Sequence, residues 1–547
     1  MKRILIILAL AAIVAGPLLL RPRPERPGPA DDTVVIVTPH NEEIRHEFEL
    51  GFRRWYEARM GRTVAVDWRV VGGTSEITRF LEGQYVASFR NLWVGRLGRA
   101  WSAAVQSGFQ DARLSGDAPA AAREARAAFL DSDAGCGMDV FFGGDTYSFN
   151  QQALAGRIVD SGIAAGHPDW FTAGVLPQEF GGEEYWDPGG RWQGSVVSSY
   201  GIIYNRDRLR RLGLAGPPAA WADLADPRFL GEVALCDPTK SSSIATAFEN
   251  VVQQQMAERL GVLRRAAGGP GVPDGAALDR QAVREGWLAG LRLIQRIGAN
   301  ARYFTDSSQK PPVDVAEGNC AAGMCIDFYG REQEESVSRR GDPGRLGFAS
   351  PAGGTAYSVD PIALLRGAPH RAVGAAFIEY VLSLDGQKLW NFRPGTPGGP
   401  RDFALRRLPV RRDFYEHAAW RALRTDPADS PYADGGRFVY RPAWTAGVFR
   451  ELAFIIRVMC QDTHGELVRA WRAINAAPEP MRSRAMAAMQ DLSFVSYDRA
   501  GLEIKQALES KNQVDEVLLA RDLAEAFRRQ YARAEELADG DVRANLK

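Results

Sequence analysis

The chain has 547 residues, 45% hydrophobic and 24% charged, with 67 basic and 67 acidic side chains that cancel to a formal charge of zero. That length exceeds what one compact core organises and points to two lobes with extensions. A balanced charge gives no global field toward nucleic acid or an anionic membrane. The N-terminus opens with Lys2 and Arg3 ahead of an apolar run, Ile4 to Leu20, broken by Gly16 and Pro17. This is the pattern of an export signal or, left uncleaved, an N-terminal anchor over residues 1–20. No Cys follows the run, which argues against a lipid anchor. Arg21, Arg23 and Arg26 on its far side leave a membrane-tethered cytoplasmic protein as the alternative. Residues 21–32, rich in Pro and charge, read as a linker.

Thr33-Val-Val-Ile-Val-Thr38 is a run of mostly β-branched residues and predicts a buried parallel strand. A helix follows, with Ile44, Phe48, Phe52 and Met60 at helical spacing and Gly61 as its stop. Thr63 to Val71 alternates as a strand, and Gly72-Gly-Thr-Ser75 opens the next helix. Strand, helix, strand, helix is the start of a parallel α/β lobe, in which ligands bind beyond the carboxyl ends of the strands. Residues 86–135, rich in Ala and Arg with scattered aromatics, break the rhythm and predict a helical insertion. Met138–Phe142 resumes the sheet. Ser195–Tyr204 is another apolar segment, and Gly231–Leu235 a short strand that leads through Asp237-Pro-Thr-Lys-Ser-Ser-Ser243 into a helix near Ile244. Residues 264–280 read as a surface loop. Strands are expected at Gly323–Phe328 and 358–365, a helix at Pro369–Leu384, and a mainly helical tail.

In this order the motifs resemble the extracellular solute-binding proteins of family 1, iron(III)-type branch. The matching pieces are VVIVTPHNE (34–42), DVFFGGDTYSF (139–149), SSYGIIYNRDRL (198–209), WADLADPRFLGEVALCDPTKSSS (221–243), AAGMCIDFYG (321–330) and the segment 358–390. The resemblance covers about residues 33–400. It implies an α/β fold of the type 2 periplasmic-binding-protein class: two mixed or parallel lobes joined by two crossover strands, here with a helical insertion and a helical C-terminal extension. Mapped onto the chain, lobe one takes 33–147 and 353–400, lobe two 148–352, and the extension 401–547. It further implies a periplasmic or extracytoplasmic protein that is no enzyme. It would capture a small solute between its lobes and serve the membrane subunits of an ABC importer. Ferric iron with an anion, or a small phosphorylated or carboxylated compound, would be the cargo.

Candidate ligand groups sit in the loops after strands. Ser241, Ser242 and Ser243 combine hydroxyls with a helix N-terminus, which suits an anion. Gly73, Thr74 and Ser75 follow the same logic, as do Asn41 and Thr146. Lys240-Ser241 lacks the glycines of a phosphate-binding P-loop. The resemblance makes His40, Asp145 and Tyr329 candidate iron ligands, although Phe328 stands where a second tyrosine is expected. Tyr147, Tyr200, Asp327 or a bound anion would have to replace it. His40 and His46 are six apart and fall on different helix faces. The adjacent carboxylates Glu183-Glu184 and Glu334-Glu335 read as solvated surface, and no motif of a hydrolase, a dinucleotide enzyme or a zinc protease occurs. Five cysteines cannot all pair within one chain, and Cys320 and Cys325 are close enough to be linked. An enzyme on the same scaffold and a membrane-tethered sensor or scaffold are the alternative readings.

Overall fold

The computed structural model describes residues 30–268, 275–427, 429–433, 438–510 and 512–540. The expected signal or anchor at 1–20 lies outside them. Among the described residues no helix is long and apolar enough to cross a membrane.

Lobe one is built on a sheet of strands β1 (Asp32–Val37), β2 (Val64–Arg69), β3 (Val140–Phe142), β4 (Gln193–Ser198), β10 (Ser358–Leu365) and β11 (Leu408–Pro409). Their order is β11-β4-β10-β3-β1-β2, with the short strand Ile158–Val159 paired to β10. β1 runs parallel to both β2 and β3, and β10 runs antiparallel to β3 and β4. Lobe two carries β5 (Tyr200–Asn205), β6 (Val233–Cys236), β7 (Ala301–Thr305), β8 (Ala322–Ile326) and β9 (Leu346–Ala349), in the order β7-β6-β8-β5-β9. Between β1 and β10 the chain crosses between lobes twice, from β4 to β5 through Ser199 and from β9 to β10 through residues 350–357. This is the expected two-lobe fold with two crossover connections.

The first helix shows why the local reading works. Asn41 accepts from the Ile44 N–H at 3.1 Å and starts α1 (Glu42–Met60), and Gly61, at φ 64, ends it. Its apolar face puts Phe48 4.3 Å from the Trp390 ring and Phe52 5.0 Å from Phe377. Both phenylalanines are fully buried, worth about 2–3 kcal/mol each. The aromatics of the insertion have a similar purpose. Phe89, Phe109 and Phe129 pack with centroids 4.6 and 5.1 Å apart and, with Trp93 and Tyr85, extend the core on one face of the lobe-one sheet, which includes Val35, Val37 and Phe141.

Three expectations are corrected. The stretch 148–198 belongs with lobe one, because β4 pairs with β10 from Gln193 to Ser198; lobe two begins at Tyr200. The apolar segment Ser195–Tyr204 is therefore two strands in two different sheets. The loop expected at 264–280 is much shorter: α4 (Ser242–Ala266) and α5 (Gly275–Ala299) reach into it from both sides. All five cysteines are free, and Cys320 and Cys325 are buried apart from solvent instead of linked.

The extension first stays with lobe one, where Leu408 pairs with Val197 in β4. From Pro442 it is helical and lies on lobe two. Trp287 of α5 donates to the Val495 carbonyl at 2.9 Å, and Trp471 donates to Asn300 Oδ1 at 2.8 Å. Gly298 lets Cys460 approach so closely that a Cβ there would meet its Sγ at 2.7 Å.

Candidate functional site

A cleft of about 690 Å³ opens between the lobes, lined from both sides by the loops that leave the strands. Four long helices begin there. Asn41 caps α1 and Ser241 caps α4, the latter accepting from Ile244 N at 3.4 Å. Helix α2 (Thr74–Arg90) starts at Gly73 and α6 (Asp327–Arg339) at Ile326, and no side chain caps either one. At α2 the first-turn N–H groups are donors that a ligand can use, whereas at α6 the Asp327 N–H is taken by the Ser199 carbonyl and the Phe328 N–H by Asp327 Oδ1, each at 2.9 Å. Gly72, at φ 130, turns the chain into α2, and a Cβ there would come 2.9 Å from the Glu76 side chain.

The cleft carries charges of both signs. Arg45 and Lys240 are its cations, and Glu42, Glu76, Asp306 and Asp360 its acids. Asp360 is already balanced from behind. Arg407, fully buried, donates to Asp360 Oδ2 at 2.6 Å and to Ser198 Oγ. Burial alone would raise the Asp360 carboxyl, but the charge of Arg407 offsets it and the group stays below its ordinary value. The same guanidinium stacks 4.2 Å over the Phe328 ring of lobe two. One residue therefore joins both lobes beneath the cleft floor.

His40 belongs to this cluster. It is 5% exposed, packed edge-on to Phe142 at 4.5 Å, and its Nε2 lies 3.3 Å from Arg407 Nη1. A guanidinium can only donate, so Nε2 accepts and the ring proton sits on Nδ1. Burial, reinforced by the Arg407 charge, lowers the imidazole pKa and keeps the ring neutral. Among the described residues its Nδ1 finds no partner. Gly143, at φ 91, is needed beside it, since a Cβ would come 2.5 Å from the ring.

Of the residues expected from sequence, His40, Asn41, Gly73, Thr74, Tyr200, Ser241, Ser242, Ser243 and Tyr329 line this cleft. Tyr329 accepts from Gln309 Nε2 at 3.1 Å, and burial pushes its phenol up to about 12. Ser75 lies inside α2, beyond the lining. Asp327 is 1% exposed and turned inward, accepting from the Phe328 N–H at 2.9 Å and from Ser199 Oγ at 3.3 Å. Asp145 and Thr146 line a second, adjacent cavity. There Asp145 caps helix α3 (Thr146–Ala155), taking the Ser148 N–H at 2.8 Å and its hydroxyl at 2.9 Å. The proposed iron set is thus not gathered at one point: Asp145 is a cap in another cavity, and the His40 Nε2 faces a guanidinium. Glu183 is a further correction. It is 5% exposed, not solvated surface. Sequence reasoning missed Asp360, Arg407, Arg45 and the loop Asp306–Gln309. Only the position of Arg45, one turn into α1 from His40, gave any local signal.

Residues 138–406 match the family model of bacterial extracellular solute-binding proteins. The match takes in just under half of the chain, and its description agrees with the solute-binding resemblance of the motif series without distinguishing the branch. A Haemophilus influenzae protein described as uncharacterized is 25% identical over 257 residues, 46% of this chain and 60% of its own. The phosphoglycerate transport regulatory protein PgtC of Salmonella typhimurium is 25% identical over 194 residues, 36% of this chain and 39% of its own. The chain therefore spans less than two thirds of either relative's length. Among solved structures, the periplasmic binding protein AfuA from Actinobacillus pleuropneumoniae, with fructose-6-phosphate bound, superposes with a TM-score of 0.42. It is 15% identical, and the match covers 72% of this chain and 98% of that one.

Proposed function

We propose that the protein is the extracytoplasmic solute-binding component of an ABC-type importer. Its cargo is a small polyhydroxylated compound bearing a phosphate or carboxylate. The observation that carries this reading is the cleft of about 690 Å³ between two lobes, onto which uncapped and serine-capped helix ends open from both sides. A volume of that order holds a compound of metabolite size. The anionic group would sit where α2 and α4 begin, near Lys240. The acids Glu42, Glu76 and Asp306 would accept from hydroxyls, because the lining has no surplus of positive charge for a free polyanion. The PgtC relative, named for phosphoglycerate transport, points the same way. Ferric iron, the other expected cargo, has less support: a cationic guanidinium behind His40 opposes a trivalent ion, and Phe328 supplies no phenolate.

The test is calorimetry on the full chain with three- to six-carbon sugar and glycerate phosphates, their unphosphorylated counterparts, and ferric citrate. Phosphorylated solutes are expected to bind, and Lys240→Ala to weaken them roughly ten- to a hundredfold, the ~1.5–3 kcal/mol of a charge-assisted contact. Stoichiometric iron with no response to any phosphorylated or carboxylated solute would overturn the cargo assignment. No binding of any kind would overturn the function.

A further inference from the structure

Beside the cleft lies a second cavity of about 280 Å³, and Gly144 and Tyr200 form the wall common to both. Three parts of the chain enclose it. Lobe one contributes Asp145 and Glu183, α4 of lobe two contributes Glu249, and the extension closes it with Tyr440 and Phe449. Among the described residues no lysine, arginine or histidine lines it.

Glu183 and Glu249 are 5% and 2% exposed. Glu183 accepts one hydrogen bond, at Oε1, from Ser358 Oγ at 3.1 Å. Glu249 takes both of its bonds at Oε1, from Tyr440 OH at 2.9 Å and Thr445 Oγ1 at 2.5 Å. The Oε2 of each takes no hydrogen bond from the described residues, in side chains that line the cavity. Two buried carboxylates without a counter-charge cost several kcal/mol when ionised. Burial, then the Glu249 charge, raises Glu183 to about 8, and burial raises Glu249 to about 7. The remaining walls are aromatic. Tyr147 and Phe449 stand 5.1 Å apart, with Tyr200 and Tyr440 beside them. Carboxylates among aromatic faces suit an organic ammonium ion, which gains from both. A metal fits less well. The place among the described residues where three His, Cys, Asp or Glu ligand atoms fall within 4.8 Å of one another is His46, Glu47 and Asp402, none of which lines this cavity. There Glu47 is already taken by the N–H groups of Arg401, Asp402 and Phe403.

We infer that this cavity is a second ligand site, for a small organic ammonium ion, held jointly by both lobes and the C-terminal extension. It is independent of the cargo in the main cleft. The titratable groups facing it are Asp145, Glu183, Glu184 and Glu249, with the phenols of Tyr147, Tyr200 and Tyr440.

The probes are choline and its neutral isostere 3,3-dimethyl-1-butanol, titrated calorimetrically into the full chain, with manganese chloride as the metal control. Choline is expected to bind at least tenfold more tightly than the isostere at pH 8. Its affinity should rise from pH 6 to pH 8.5 as protons leave Glu183 and Glu249, with proton release into the buffer. Glu183→Gln and Glu249→Gln should each weaken choline tenfold or more while the thermal transition at pH 8 stays or rises, since each removes a buried charge. Equal binding of choline and the isostere, no binding of either, choline affinity untouched by both variants, or manganese displacing choline one for one would each overturn the site.

Discussion

Arg407→Met tests whether the buried cluster under the cleft is held by charge or by packing. Methionine keeps much of the aliphatic stem but deletes the guanidinium that lies over Phe328 and Trp390 and that Asp360 receives at 2.6 Å. Removing one partner of a buried pair costs about 3–5 kcal/mol, because the other charge stays behind unpaired. The pH dependence identifies the cause. In the native chain Asp360 lies below its ordinary value, so its contribution is present above the unfolded carboxyl pKa and is lost as pH falls through the folded one. Without Arg407 burial dominates and the Asp360 pKa rises, so the variant loses stability as pH rises instead. The deficit against wild type should therefore be largest near pH 8 and shrink toward pH 5. Urea unfolding followed by tryptophan fluorescence is suitable, since the Trp390 ring lies 5.2 Å from the Arg407 guanidinium carbon. A loss of 3–5 kcal/mol lowers the urea midpoint by about 1 M or more at the usual slopes. Asp360→Asn added to Arg407→Met should recover at least half of the loss. If single and double variants unfold together, or the deficit is the same at pH 5 and pH 8, the cluster is held by packing and the reasoning fails.

Two further predictions concern the extension and the acidic cavity. Gly182→Ala places a Cβ 1.8 Å from the Tyr440 carbonyl oxygen on a backbone at φ 82, so it should dislodge the extension where it crosses between lobes. Hydrogen exchange should speed up across residues 438–449, with β1 and α1 unaffected. The raised pKa values of Glu183, about 8, and Glu249, about 7, against 4.5 for an ordinary glutamate, make stability fall as pH climbs from about 5, with Glu249 levelling off above 7 and Glu183 above 8. The folded state holds protons there that the unfolded state has released, giving a slope of up to about 1.4 kcal/mol per pH unit for each group. Glu183→Gln should flatten the slope in thermal unfolding at stepped pH.

The local elements were legible because their signals are local. A run of β-branched residues made β1, Asn41 and Gly61 bounded α1, and Ser241 marked the start of α4, each within a few residues of what it controls. The lobe boundary was not legible. β4 and β5 are separated by Ser199 alone, and both are buried throughout, so no polar break announces that the chain changes sheets. The 264–280 stretch was misread on its Gly and Pro content, though Ala282, Val283, Gly286 and Trp287 carry the buried face of α5. The site divides in the same manner. Loop residues after strands were found because their positions follow from the fold. The Arg407–Asp360–His40 cluster was not, since its members are 47 and 367 residues from Arg407 along the chain and belong to no motif. Asp145 has a role that the sequence reading did not give it: a three-residue reach to the Ser148 N–H makes it a cap, at the wall of the second cavity.

The extension changes what the two-lobe fold can do. With only the two crossover connections, the lobes could turn about them to admit a solute. Here residues 440–449 add a third connection, bonded to both sides. The Tyr440 N–H donates to the Gly181 carbonyl of lobe one at 2.8 Å, while its hydroxyl donates to Glu249 of lobe two. Phe449 stacks against Tyr147 of lobe one from a helix that packs on lobe two. Opening at this edge must break the Tyr440–Glu249 bond or peel Phe449 from Tyr147, about 1.5–3 and 0.5–1.5 kcal/mol respectively. Those sums are within the range a bound solute can supply or withhold. Lobe motion and extension contact therefore draw on the same free energy, and the carboxylates of the second cavity lie at the point where they meet.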